Sequence, residues 1–130
     1  MTKVLYFHEN EVPGKKNCVF RVDFVKIVNI EQLFYSLGTE LEFELVPKKS
    51  WDAFLDQFRE FCTNREANTV LLFDGFEAFS KSYFQLATKL TETISFAINE
   101  HYQIIQDNVN IPEGERIHDN RNVRISLVLK

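Results

Sequence analysis

Two carboxylates, Asp52 and Asp56, stand one helical turn apart in the stretch Ser50-Trp51-Asp52-Ala53-Phe54-Leu55-Asp56-Gln57-Phe58-Arg59. A helix stacks such a pair on one face. The pair has two chemical uses. It can accept charge-assisted hydrogen bonds from the Arg, Lys or His groups of a cationic partner, or it can hold Mg²⁺ together with phosphate oxygens. The second use finds no support, because nothing in the chain resembles a P-loop, whose glycines let backbone amides cradle phosphate. Other catalytic constellations are missing too. His8, His101 and His118 are scattered without the His-x-x-x-His spacing of a zinc site. His101 reads as a capping or interfacial histidine at a helix end, and Asp74-Gly75 as a turn after a strand. Cys18 and Cys62 form no C-x-x-C, so reduced, buried thiols are expected rather than a disulfide. The expectation is a binding protein, not an enzyme, with no cofactor and no metal. A merely solvated helix face is the plain alternative for the two aspartates.

The elements that must position this pair follow from periodicity. Trp51, Phe54, Leu55 and Phe58 recur at i, i+3, i+4 and i+7, and Cys62 extends the row, which predicts an amphipathic helix packed on a core. Asp52, Asp56, Arg59 and Thr63 fall on its other face. Stacked like charges destabilise a helix by roughly 0.2–0.5 kcal/mol. Asp52 recovers part of that in the first turn, where the helix dipole favours an anion, and Ser50 is placed to cap the free amides. Trp51, by its spacing, belongs to the core.

Around this helix the chain alternates strand and helix signals. Cys18 to Val25 is strand-like, and Asn29 with Gln32 is a weak capping box opening a helix over Ile30 to Leu41. Phe43 to Lys49, with Pro47, is the loop entering the Trp51 helix. Thr69 to Phe73 is a continuous apolar run of the kind that suits a central or parallel strand. A short helix between Phe76 and Tyr83, a long one from Phe84 to His101 and a strand from Val123 to Leu129 complete the order. Helical crossovers of this kind predict an α/β fold with a small three-stranded parallel sheet flanked by helices. Val4-Leu5-Tyr6-Phe7 adds a possible extra N-terminal strand, in a hairpin with the first through Val12-Pro13-Gly14.

The 130 residues read as a single domain, residues 1–130, with an N-terminal extension over 1–17 and an inserted loop over 103–122. The polar part of that loop, Gln106 to Asn122, is functional or mobile by its length, or else a tolerated surface insertion. Thirteen Phe and few Gly or Pro speak for a folded globular chain. No apolar run approaches the ~18 residues that span a membrane, and residues 1–10 lack the core of a signal peptide, so the cytoplasm is the expected location. Net charge is −4, with no basic cluster beyond Lys15-Lys16 and Lys48-Lys49. Direct binding to nucleic acid or membrane is disfavoured, and a basic protein partner is favoured.

The order of elements, with Trp51-Asp52-Ala53-Phe54 and then Asp56, resembles the barstar family of intracellular inhibitors of bacterial ribonucleases. The likeness runs from about Phe20 to Phe58 and resumes more loosely at Thr69 to Gly75, in the long helix and in the last strand. It implies a function: the second helix and the loop before it plug the active site of a basic nuclease or another protein toxin, in the manner of an immunity protein or antitoxin. Asp56 would be the deeper anchor, occupying the place of substrate phosphate, with Asp52 beside it. The partner-binding set expected from the resemblance is Asp52, Asp56, Trp51, Val46 and Lys49, in a protein that is a monomer when free. Val46 stands where the family has an inhibitory aromatic residue, and Lys48 and Ser50 replace its Gly and Asn. Lys48 and Lys49 put positive charge where a positive partner should come, so either the partner differs or the lysines point away. A third acidic contact falls on Glu92 or Glu100 of the long helix. The competing reading is a non-inhibitory interaction module of the same fold, fed by aromatics such as Phe61, Phe76 and Phe79 or by the N-terminal strand.

Overall fold

The computed structural model describes residues 18–109 and 123–130. The elements are β1 (Cys18–Asp23), α1 (Ile30–Glu40), α2 (Trp51–Thr63), β2 (Thr69–Asp74), α3 (Phe76–Ser82), α4 (Phe84–Val109) and β3 (Ile125–Leu129). The strands form one parallel sheet in the order β1-β2-β3, with Val19 opposite Val70 and Val70 opposite Ser126. The expected α/β fold, a three-stranded parallel sheet with helices, is therefore present. The expected N-terminal strand and its hairpin lie outside the described residues.

The apolar run of β2 makes it the central strand, buried from Thr69 through Phe73. Alternate residues face opposite ways along a strand. Leu71 and Phe73 join Val22, Phe24, Ile125 and Leu127 in the main core with the helices, whereas Val70, Leu72 and Val128 form a second buried cluster. α2 and α4 run in one direction, since Arg59 meets Glu100 while Thr63, one turn on, lines the same crevice as Ile104, one turn beyond Glu100. They pack on each other and present their outer faces together.

Several boundaries differ from the sequence reading, each for a local reason. β1 stops at Asp23 rather than Val25, because the Asp23 carboxylate accepts the Val25 N–H at 2.9 Å and turns the chain out of the ladder. Asn29 caps α1 by accepting the Gln32 N–H at 2.8 Å, but Gln32 reaches back to the Val28 N–H instead of that of the cap itself. β3 begins at Ile125, not Val123. The largest correction is to the inserted loop over 103–122. α4 continues through Val109, since extending a formed helix costs little and no proline intervenes before Pro112. His101 is accordingly not at a helix end. It lies buried well inside α4, with Nε2 3.3 Å from the Val123 carbonyl. Tyr102 beside it donates to the Ile125 carbonyl at 2.9 Å and accepts the Ile125 N–H, tying α4 to the start of β3. Cys18, expected to be buried, is exposed at the start of β1, an outer strand among the described ones, while Cys62 is buried.

Candidate functional site

The site is built on α2. Its inner face is held by an aromatic column: Phe54 stacks on Phe34 of α1 at 5.2 Å and on Phe58 at 6.0 Å, and Phe58 stacks on Phe61 at 5.6 Å. Offset and edge-on ring pairs of this kind fix both position and rotation of a helix. Ser50 caps the first turn by accepting the Ala53 N–H at 3.2 Å. With the inner face locked, the outer face must carry Asp52 and Asp56, and both are exposed; the Asp56 side chain keeps 74% of its accessible surface. Arg59, one turn on, approaches Asp56 with Nη1 at 3.6 Å, which relieves the like-charge repulsion of the aspartates.

The loop before α2 is clipped at three points. Val46 packs on Gly38, where an added Cβ would lie 3.1 Å from a Val46 methyl. The Leu45 N–H donates to the Gln57 side chain at 3.3 Å. Lys49 turns toward α1, its Nζ 3.4 Å from Glu31 Oε1. That pair is mostly exposed and contributes little stability, but it directs the ammonium toward α1. Leu45 and Val46 remain exposed beside the acidic helix. Trp51 is half-buried, edge-on to Phe34 at 4.9 Å and to Phe54 at 5.9 Å, in keeping with its reading as core.

From α4 the structure brings Glu100 to this surface and leaves Glu92 exposed one turn before Phe96. Arg59 donates to both Glu100 oxygens, from Nε at 2.9 Å and Nη2 at 3.1 Å, and its guanidinium lies 5.6 Å from the centre of the Phe96 ring. A crevice of about 240 Å³ opens beneath this contact, lined by Arg59, Cys62, Glu100 and His101 among others. Arg59 and Phe96 are the residues that sequence reasoning missed as a unit. The signal was a phenylalanine standing off the apolar stripe Ala87, Leu90, Ile94, Ala97, Ile98, with a glutamate one turn away on each side.

Among the described residues no three His, Cys, Asp or Glu side chains converge as a metal ion would require. No described helix is long and apolar enough to cross a membrane. What this arrangement offers chemically is a row of hydrated carboxylates on a rigid helix, next to apolar side chains that are already in water. Compared with protein-family models, curated proteins and solved structures, the chain matches none.

Proposed function

We propose that this chain is a protein inhibitor that blocks the active site of a basic nuclease, in the first instance a ribonuclease, with the outer face of α2 and the loop before it. It acts in the cytoplasm as an immunity protein or antitoxin. The observation that carries the reading is the exposure of Asp52 and Asp56 on a helix whose opposite face is fixed in the core. A carboxylate kept hydrated in the free protein costs little. In a catalytic cleft it exchanges water for fixed Arg, Lys or His donors, and bonds between charged groups are the strong ones. Leu45 and Val46 supply apolar contact at the edge, where the resemblance places the inhibitory aromatic. Lys49, drawn to Glu31, leaves the aspartates clear for a positive partner.

The test is inhibition of purified barnase, the ribonuclease the resemblance designates, and of any basic protein that co-purifies from the native host. Asp56→Ala is expected to weaken the complex at least about tenfold. Stranding the opposite charge in a buried pair costs about 2–5 kcal/mol, and about 1.4 kcal/mol is tenfold in affinity. Asp52→Ala should lose less, and added salt should slow association. Equal inhibition by Asp56→Ala and wild type would remove α2 from the inhibitory surface. The reading also excludes catalysis: hydrolysis of RNA by the pure protein, sensitive to EDTA and lost in Asp52→Ala, would overturn it. The competing interaction module loses the aromatics first offered for it, because Phe61, Phe76 and Phe79 are buried in the core.

A further inference from the structure

The sheet has two faces, and the described helices account for one of them. Both crossovers step the same way, from β1 to β2 and from β2 to β3, so right-handed connections put all four helices on one side. Side chains of each helix join Leu71, Phe73, Ile125 and Leu127 in the main core. The register sends Val19, Val70, Leu72, Ser126 and Val128 to the opposite face. There Val70, Leu72 and Val128 form their own cluster, and no other apolar side chain among the described residues belongs to it. Yet these three and Ser126 keep no more than 3% of their accessible surface, as little as residues under the helices. Val19, on the same face of β1, keeps 54%. Side chains stand roughly perpendicular to a sheet, so neighbouring strands shield their flanks and only a second layer hides their tips. Such a layer therefore lies over β2 and β3. An all-parallel sheet calls for one, since such sheets occur almost only with both faces covered.

We propose that the chain's own N-terminal segment is this layer, a strap that lays Val4-Leu5-Tyr6-Phe7 across Val70, Leu72, Ser126 and Val128. Two stretches lie outside the described residues, 1–17 and 110–122, and composition separates them. The first carries four large apolar residues in a row. The second has only Ile111 and Ile117, set among Glu113, Glu115, Arg116, Asp119 and Arg121. Charges laid on a dry apolar face lose their water without a partner, which is costly. Length permits the crossing. Strands lie about 4.8 Å apart, so β3 is about 10 Å from β1. Residues 8–17, leading into β1, can span up to about 33 Å, with Val12-Pro13-Gly14 to turn the chain. A hairpin beside β1 would widen the sheet instead and leave Val70 and Val128 bare, which their burial contradicts. The strap closes an apolar face of the kind that otherwise marks an association site. It is independent of the inhibitor reading, because α2 packs on the other side of the sheet.

The experiment is NMR on the intact chain, reading nuclear Overhauser contacts from the methyls of Val70, Leu72 and Val128. Contacts are expected to the methyls of Val4 or Leu5 and to the ring of Tyr6 or Phe7, within one molecule. Contacts to Ile111 or Ile117 in their place would overturn the proposal. So would contacts seen only between labelled and unlabelled copies, which would make a second chain the cover, or no contact from residues 4–7 at all. A double variant, Leu5→Ser with Tyr6→Ser, provides a second reading. Neighbouring residues of an extended segment face opposite ways, so one of the two must point at the sheet. The variant should keep its far-UV circular dichroism, shift its urea midpoint to lower urea and gain binding of the apolar dye anilinonaphthalene sulfonate. An unchanged midpoint without dye binding would equally sink the strap.

Discussion

Cys62 closes the apolar row of α2 at 2% exposure, and burial pushes its thiol far above the ordinary value of 9.0. The attraction of Arg65 acts against that shift and is smaller, while Glu100 adds to it. The thiolate is the nucleophile, so a thiol held protonated and out of water is inert. Cys18 is exposed. Iodoacetamide at neutral pH should therefore modify Cys18 and spare Cys62 until denaturant is added, as peptide mass spectrometry will show. Comparable labelling of both in native buffer would mean that the end of α2 opens readily. The same shift has a consequence for stability. A folded thiol raised above its unfolded value makes no difference while both states are protonated, and stability is lost as pH rises past the unfolded value toward the folded one. Tyr102, raised by burial against the lowering effect of its hydrogen bond to Ile125, acts in the same sense at higher pH. The urea midpoint should thus fall as pH climbs above about 9, and a midpoint that rises there would contradict the burial of both groups. The burial of Cys62 was legible, because it extends the apolar row of α2, whereas the exposure of Cys18 was not. Their different fates follow their places, Cys18 at the start of β1 and Cys62 on the buried face of α2.

At the scale of elements, the end of α1 shows what sequence signals reveal and what they hide. The start was legible: Asn29 caps because its short side chain reaches the Gln32 amide. The stop was not. After Leu41 the chain turns through Glu42 at φ 58°, and the Phe43 and Glu42 amides fold back onto the Gly38 and Thr39 carbonyls at 2.8 and 3.3 Å. That closure normally announces itself by a glycine in the left-handed position, and here a glutamate occupies it. Glu42→Gly should raise stability by about 0.5–1 kcal/mol by relieving the backbone, while Glu42→Ala should not. Urea unfolding at constant m-value distinguishes the two, and equal gains would assign the effect to lost charge instead of conformation. The turn matters for the site because it sends the loop across Gly38, where Val46 seats. The long helix gives the complementary lesson. Its apolar stripe was readable to His101, but its last turns carry Gln, Asp and Asn, and composition alone cannot separate a polar helix end from a loop. The acidic pair on α2 was legible because period and charge agreed. Arg59 with Phe96 and Glu100 was not, because that contact joins two helices whose relative position only the parallel sheet defines.

Across the whole molecule, the side chains that hold the fold are separated from those left in water, often by a single residue. Phe54 and Asp56 share a helix, yet one lies at the centre of an aromatic column joining α1 and α2 while the other is in water. Replacing a buried phenylalanine by alanine removes transfer energy and leaves a cavity, at a cost of about 3–5 kcal/mol. Domains of this kind hold only about 5–15 kcal/mol in total, so Phe54→Ala should consume a large share of the stability. Exposed positions behave otherwise. Asp56→Ala loses a weak contact with Arg59 and the repulsion from Asp52, and these two small effects oppose each other, so its net change should stay within about 0.5 kcal/mol. The expected pattern is a crossed one: Phe54→Ala unfolds at much lower urea, while Asp56→Ala unfolds like wild type and fails at the partner. At temperatures where Phe54→Ala is still folded, Phe34, Phe58 and Trp51 continue to hold α2, so it should still inhibit. If Phe54→Ala lost inhibition while folded, or if Asp56→Ala unfolded markedly earlier, the two faces of α2 would not be independent. The outer face would then be part of what keeps this small sheet and its helices together.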